Sequence, residues 1–484
     1  MITFNQFSKY FLAATICVAF GACSNDDAIE VVPDVESEVS TLHTIPMKLV
    51  GDLSGFDQKT GTRAPSASWN EGDKIYLTFY NGDTTFPGEA TYSATNGWAV
   101  SYDGTLGTGS DLKCEARHFK DATFESASLV SLNSGSQVYE DANGKYTFVD
   151  NALTVYASLS PKAGRLRFKG TSGATIYTTG IAVYTTFSPG NNSFSTSSAM
   201  ITSTVGSDGY TPYIYGQFAD EDMNIGLVGD DFAFTRTCTA DMLAAGESGY
   251  MTIPSETAHN NWRSGLFVKA SGVEFKMIPV AGLESGFFLI GETEVTEALY
   301  NSVNGTASTS TKPVGDVGYR SALAFAEKLT NNTKLNFALP SAEQWLYASK
   351  GGAKSQGYKY SGSNTPDDVA WYAANSGVRH DVKTKAPNEL GIYDMSGNVG
   401  EYVSTIFPAT NYTYPYIYGG GSNSKAQYIE NDSWVSYYLY NTSSENDPLD
   451  AGYGSSYSGH TGQSWYTYNY YDSNIGFRLI ITCP

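Results

Sequence analysis

The sequence predicts a multidomain, mostly β protein, with an N-terminal all-β sandwich of one or two lobes followed by an α+β domain. Three observations carry this. Only 16% of the 484 residues are charged, while 49 are Gly and 36 are Tyr, a composition poor in helix formers and rich in strand and turn residues. Up to about residue 265, short alternating runs such as Lys74-Ile75-Tyr76-Leu77-Thr78-Phe79-Tyr80 and Gly164-Arg165-Leu166-Arg167-Phe168 recur between Gly, Asn, Ser and Asp clusters. Beyond it, helical patches appear at 296–303, 319–330 and 341–350.

Residues 1–22 read as a secretory signal. The apolar run from Tyr10 to Ala22, behind Lys9, is too short to span a bilayer. Gly21-Ala22-Cys23 resembles the lipobox of bacterial lipoproteins, which implies acylation of Cys23 as the mature N-terminus. Several acyl chains there would give stable membrane anchoring. Ser24-Asn25-Asp26-Asp27 is similar to the export tether of some outer-membrane lipoproteins, so the expected location is the outer membrane, lipid-anchored, at the cell surface. Residues 23–40, acidic and with Val and Pro, are expected to form a flexible tether.

The β region is placed at 41–265. A fresh start of strand pairing, 153–160 followed by 163–169, puts a candidate lobe boundary near residue 158. The second region, 266–484, has helical punctuation: Ala322, Leu323, Phe325, Ala326 and Leu329 fall on one predicted face, and Ser341 with Gln344 forms a capping box. The net charge of -20 repels phosphate backbones, which argues against nucleic acid as a partner. Cys114, Cys238 and Cys483 have no C-x-x-C spacing and are expected to be small buried hydrophobes; a Cys114–Cys238 bridge is permitted in an oxidising envelope.

Thr62-Arg63-Ala64, followed by Trp69-Asn70-Glu71-Gly72-Asp73-Lys74-Ile75-Tyr76, resembles the opening of fimbrillin-type β-sandwich pilins and adhesins. The resemblance implies other fimbrial subunits as partners and Arg63 as a processing site. A solvated turn is the plain alternative for Arg63, because strand exchange needs an unpaired sheet edge.

The second region resembles the formylglycine-generating enzyme (sulfatase-modifying factor) family. Four segments appear in family order: Gly291-Glu292-Thr293-Glu294-Val295-Thr296, Leu339 to Ala348, Asn388 to Tyr402, and Gly476-Phe477-Arg478. The resemblance implies a C-type-lectin-like α+β fold. Val399-Gly400-Glu401-Tyr402 and Gly419-Gly420-Gly421-Ser422 depart from the family pattern. So does the absence of any Cys between Phe267 and Gly476, because the oxidising members bind copper through a cysteine pair. His380 and His460 are too few for a three-His iron site. The resemblance also implies a structural calcium ion at the loop carrying Asn398 and Glu401, with an ordinary capped loop as the alternative.

Between Ser404 and Gly476 lie 14 tyrosines, mixed with Ser, Asn, Gly and Asp. Tyr and Trp give large amphipathic contact area at low rotamer entropy, and Ser, Gly and Asn give adaptable hydrogen bonds. This marks 404–475 as a binding surface for a host or microbial surface protein or glycan. The ligand-binding candidates are Trp434, Tyr437, Tyr438, Tyr440, Asn441, Tyr453, Tyr457, His460, Trp465, Tyr466, Tyr468, Tyr470 and Tyr471. The segment also resembles the variable region of C-type-lectin-like proteins diversified by retroelements at the adenines of Asn codons, in which Gln463, Trp434 and Trp465 would be fixed. The function expected is adhesion or ligand recognition without catalysis; a family oxidase with a relocated metal site and a structural fimbrial subunit are the alternatives.

Overall fold

The computed structural model describes residues 42–51, 53–54, 57–58, 69–126, 128–217, 223–229, 232–238, 243–254, 261–284, 286–404, 416–436 and 474–483. Cys23, the tether and Arg63 lie outside the described residues. Buried side chains recur at every second position along the early strands, for instance on Gly97–Tyr102 and Gly164–Lys169, so each strand offers one face to a core. Lys74–Asn81 is central and buried on both faces over Ile75 to Phe79.

The first sheet runs in the order 145–149, 152–156, 43–50, 97–102, 84–93, 74–81, 109–120, 137–141 and 160–161. Lys145–Val149 also pairs with Gly109–Lys120, so seven of these strands close on themselves as a barrel-like ring, where a two-sheet sandwich was expected, and this sheet has few open edges. Its core is built around Ile75, Phe79, Val100, Cys114 and Tyr146. The chain passes to a second group of sheets between Pro161 and Gly164. Two early pieces stay with that second group: Asp57–Gln58 pairs with Glu247–Thr252, and Leu129–Ser131 pairs with Val183–Ser188. The two lobes therefore share hydrogen-bonded sheets. Cys114 and Cys238 are free thiols and sit in different apolar cores, so the permitted bridge between them is not formed.

At the junction with the last region, Arg263–Ser264 pairs with the lobe strand Ala233–Cys238, and the chain continues through Gly265 into Leu266–Ala270 of the next sheet. Gly265 has φ +106, a left-handed value that suits Gly, and a Cβ there would lie 2.4 Å from the Lys276 side chain. Thr235 fixes the turn: its Oγ1 donates to Gly265 O (2.8 Å) and accepts from Phe267 N–H (2.8 Å). Val228 and Ala233 of the lobe belong to the same apolar core as Leu266, Met277, Leu289, Phe325 and Phe477.

The C-terminal region has a five-stranded sheet in the order 266–270, 273–280, 288–291, 480–482, 337–338 and a four-stranded sheet in the order 434–436, 416–418, 400–403, 475–477. Three helices pack on them. α1 (Glu297–Val303) is capped by Thr296, whose side chain accepts from Leu299 N–H. α2 (Tyr319–Thr333) runs three residues past the predicted end before Lys334 closes it in the left-handed conformation. It buries Ala322, Phe325, Ala326 and Leu329, but Leu323, expected on the same face, is 40% exposed. α3 (Ala342–Ser349) carries the capping box of Ser341 and Gln344. No described helix is long and apolar enough to cross a membrane.

Candidate functional site

The tyrosine-rich segment is rooted in the four-stranded sheet. Val403 pairs with Tyr416 and Tyr416 with Ser436, forming one row at one end of the sheet, whereas Ile475 pairs with Gly400 at the other. The chain thus leaves this sheet after Val403 and returns at Tyr416 at the same end, leaves it again there after Ser436, and re-enters at Ile475 at the opposite end. Tyr437, Tyr438, Tyr440, Asn441, Tyr453, Tyr457, His460, Trp465, Tyr466, Tyr468, Tyr470 and Tyr471 lie outside the described residues. Trp434 is described: its ring meets Tyr416 edge-on at 4.8 Å, and it packs half-buried against the core around Trp345 and Tyr418.

Beneath this sheet lies a buried polar centre. Arg478 and Glu401 are both fully buried. Arg478 Nη2 donates to Glu401 Oε1 at 2.8 Å, and its Nε stands 3.1 Å from both carboxylate oxygens. The remaining donors go to backbone, Nη1 to Gly291 O and Nη2 to Tyr393 O, each at 2.8 Å. Trp345 Nε1 donates to Glu401 Oε2 at 2.7 Å, and the indole stacks on Tyr418 at 5.1 Å. Asn388 ties α3 in, its Nδ2 donating to Ala348 O (2.8 Å).

Two further carboxyls share this space. Glu294 accepts from Asn398 Nδ2 (3.1 Å) and Val399 N–H (3.2 Å). Asp394 accepts from Lys383 N–H (2.8 Å) through Oδ2, and its Oδ1 is buried with no hydrogen-bond partner. Burial, then the charges of Asp394 and Glu401, hold the Glu294 carboxyl well above the usual range. Burial also pushes Asp394 up to about 6, against the opposing Lys383 N–H bond. One guanidinium thus serves three carboxyls, a set that holds together by neutralising some of them.

Asn398 and Glu401, the nominated calcium ligands, do not fit that role. Both Glu401 oxygens face Arg478 and Trp345. Asn398 Oδ1 accepts from His380 N–H (2.9 Å) and its Nδ2 faces Glu294. A calcium cage needs several free oxygens, and a carboxylate already neutralised by a buried Arg supplies none. Asn398 sits at φ +59 after Gly397, whose φ is +79; a Cβ at Gly397 would lie 2.3 Å from Trp371 O. His380 stacks on Trp371 at 3.8 Å and its Nε2 lies 2.6 Å from Ser376 Oγ.

Each of the four sequence segments delivers a member of this centre: Glu294, Trp345, the trio Asp394, Asn398 and Glu401, and Arg478. Sequence reasoning did not single out Glu294, Trp345, Asp394 or Arg478. The signal lay in the segments as wholes: within Gly291-Glu292-Thr293-Glu294-Val295-Thr296 nothing local separates Glu294 from its polar neighbours.

Residues 263–482 match the family model of the sulfatase-modifying factor enzyme 1-like domain. This part of the chain is a domain of that family, joined to a β-rich N-terminal region. The chain is also similar to the chaperone protein LppX of Paenibacillus barcinonensis, 44% identical over 84 residues, and the match spans 14% of this chain and 30% of that protein. Among solved structures, it is similar to variable protein 1 of Treponema denticola at 23% identity and a TM-score of 0.33, over 45% of this chain and 98% of that one. A fimbrial protein from Bacteroides ovatus is similar at 9% identity and a TM-score of 0.24, over 59% of this chain and 76% of that one.

Proposed function

We propose that the protein is a lipid-anchored surface recognition protein. In this reading Cys23 holds it in the outer membrane, the β region is the stalk, and the sulfatase-modifying-factor-like domain is a head that binds a protein or glycan through residues 404–475. One observation carries the reading. The segment 437–473, with nine tyrosines and Trp465 among Ser, Asn, Gly and Asp, is rooted in a sheet whose strands Gly400–Val403 and Ile475–Phe477 are tied from below by Glu401 and Arg478. Binding chemistry on connecting segments held by a rigid frame is how recognition surfaces are commonly built.

Deep sequencing of the codons for 404–478 across a cell population, with those for 267–400 as control, tests the diversified form. Substitutions concentrated at adenines support it; a uniform sequence removes it and leaves a fixed adhesin. Replacing the tyrosines from Tyr437 to Tyr471 by Ser in the full chain tests the site itself. Unchanged binding to a cell-surface or glycan array by this folded variant would overturn the assignment.

A further inference from the structure

The strand ring of the first lobe closes where Lys145–Val149 meets Gly109–Lys120, and this seam is uneven. Tyr146 lies beside Leu112 but Phe148 lies beside Gly109, so the run from Leu112 to Gly109 is one residue longer than the run it opposes. The extra residue makes a bulge, within which Asp111 stands at φ +60. Just past it the chain reverses: Val149 pairs with Ala152, and Asp150 (φ +49) and Asn151 (φ +61) form the tight turn between them. Positive φ at both central positions is the hairpin geometry that Asp and Asn tolerate.

A cavity of about 500 Å³ opens at this seam, lined by Thr108, Gly109, Phe148, Val149, Asp150 and Asn151. Its volume falls in the range of small-molecule sites, roughly 300–1,000 Å³. Phe148 is half-buried and Val149 is 52% exposed, so part of the wall is apolar. Thr108, Asp150 and Asn151 are exposed, and among the described residues their side chains have no hydrogen-bond partner. No Lys or Arg lines the cavity, and Lys145 of the same strand faces Asp111 at 3.4 Å.

We infer that this cavity is a binding site for an uncharged sugar end-group, a pyranose with free hydroxyls. The Asp150 carboxylate can accept from two neighbouring sugar hydroxyls, the Asn151 amide both donates and accepts, and the Thr108 hydroxyl does either. The Phe148 ring and the Val149 methyls offer an apolar wall to the C–H face of the sugar. An acidic sugar or a phosphate is disfavoured, because the charge that lines the cavity is the Asp150 carboxylate. The tight turn holds two of the three polar groups in place before the sugar arrives, which lowers the ordering cost of binding. The site belongs to the N-terminal β region and does not rest on the reading given to residues 404–475.

Ligand-observed saturation-transfer NMR on the full chain tests the assignment, with the methyl glycosides of glucose, galactose, mannose and fucose and with methyl glucuronide as the charged comparator. At least one neutral glycoside is expected to bind, and more tightly than methyl glucuronide. The double variant Asp150→Gly, Asn151→Gly keeps the turn, because Gly adopts both φ values, and is expected to weaken binding at least about tenfold; Thr108→Val is expected to weaken it several-fold. Thermal melts near that of the parent show that folded variants are compared. The chain with the tyrosines from Tyr437 to Tyr471 replaced by Ser is expected to bind the glycoside as the parent does. No binding of any neutral glycoside overturns the inference, and so does tighter binding of methyl glucuronide. Binding that survives the double Gly change, or is lost in the Tyr-to-Ser chain, would place the sugar elsewhere and overturn it as well.

Discussion

Arg478 Nη2 donates to Glu401 Oε1 at 2.8 Å between two fully buried side chains, and the contact joins the segment after the last strand of the four-stranded sheet to Gly400–Val403. Removing either partner has unequal consequences. Arg478→Met strips the buried guanidinium from Glu401, Glu294 and Asp394, leaving Lys383 acting on Asp394 from the surface, and breaking a buried pair from one side costs about 3–5 kcal/mol. Glu401→Gln still leaves Arg478 with the carbonyls of Gly291 and Tyr393, and removes the charge that helps to keep Glu294 and Asp394 protonated beside it. Urea unfolding of the two variants is expected to show the Arg478 change as the more damaging; equal losses would mean that the pair acts alone.

The same cluster makes stability depend on pH in a defined direction. Asp394 is raised to about 6 from a reference value of 3.8, so the folded state holds its proton more tightly than the unfolded state. Stability is therefore fully present below about pH 4 and falls as the pH rises through about 6. At about 1.4 kcal/mol per pH unit between those values, the loss is about 3 kcal/mol. Glu294 acts in the same direction. Asp394→Asn, measured by thermal melts from pH 4 to 7, is expected to flatten this slope.

Glu115 contributes the opposite sign in a lower window. Although burial raises it, bonds from Tyr80, Arg117, Lys113 and Asn192 bring its carboxyl down to about 2. Its contribution is present above about pH 4.5 and is lost as the pH falls toward 2. Glu115→Gln is expected to reduce the loss of stability between pH 4.5 and 2 while leaving the slope above pH 5 unchanged, read from acid-unfolding curves.

The C-terminal region shares its core with the lobe before residue 265. Lobe residues Val228 and Ala233 close the core that Leu266 and Val268 enter. A fragment of residues 266–484 is expected to bind ANS strongly and to lack a cooperative melt, whereas the full chain melts cooperatively. In the full chain, Thr235→Val removes both bonds across the junction and is expected to cost about 1–3 kcal/mol, from the buried groups left unpaired.

Calcium removal is expected to have no effect on the melting temperature. The side-chain oxygens of Asn398 and Glu401 already face His380, Arg478 and Trp345. A rise in melting temperature on adding calcium after chelation would show a site built from other groups.

Much of the architecture was legible because it rests on local rules. The alternation in Gly164–Lys169 and the capping box at Ser341 are written in neighbouring residues, and both stand in the structure as read. Leu323 shows the limit: periodicity placed it with Ala322 and Phe325, but the neighbouring elements cover a narrower stripe of α2. Glu401 shows another. Its segment was recognisable, but a carboxylate that coordinates an ion and one that pairs with a buried Arg look alike until the partner 77 residues away is in place.

By itself the sequence determined the β-rich N-terminal region, the α+β C-terminal region, the tyrosine-rich segment and the four segments that mark the C-terminal region. Those follow from periodicity, composition and short motifs, which act between neighbours in the chain. Only the tertiary structure decided that these four segments converge on Arg478 and that the second lobe and the C-terminal region share one core. Such outcomes depend on contacts between distant residues, where burial sets the cost of every charge and the partner available sets its use.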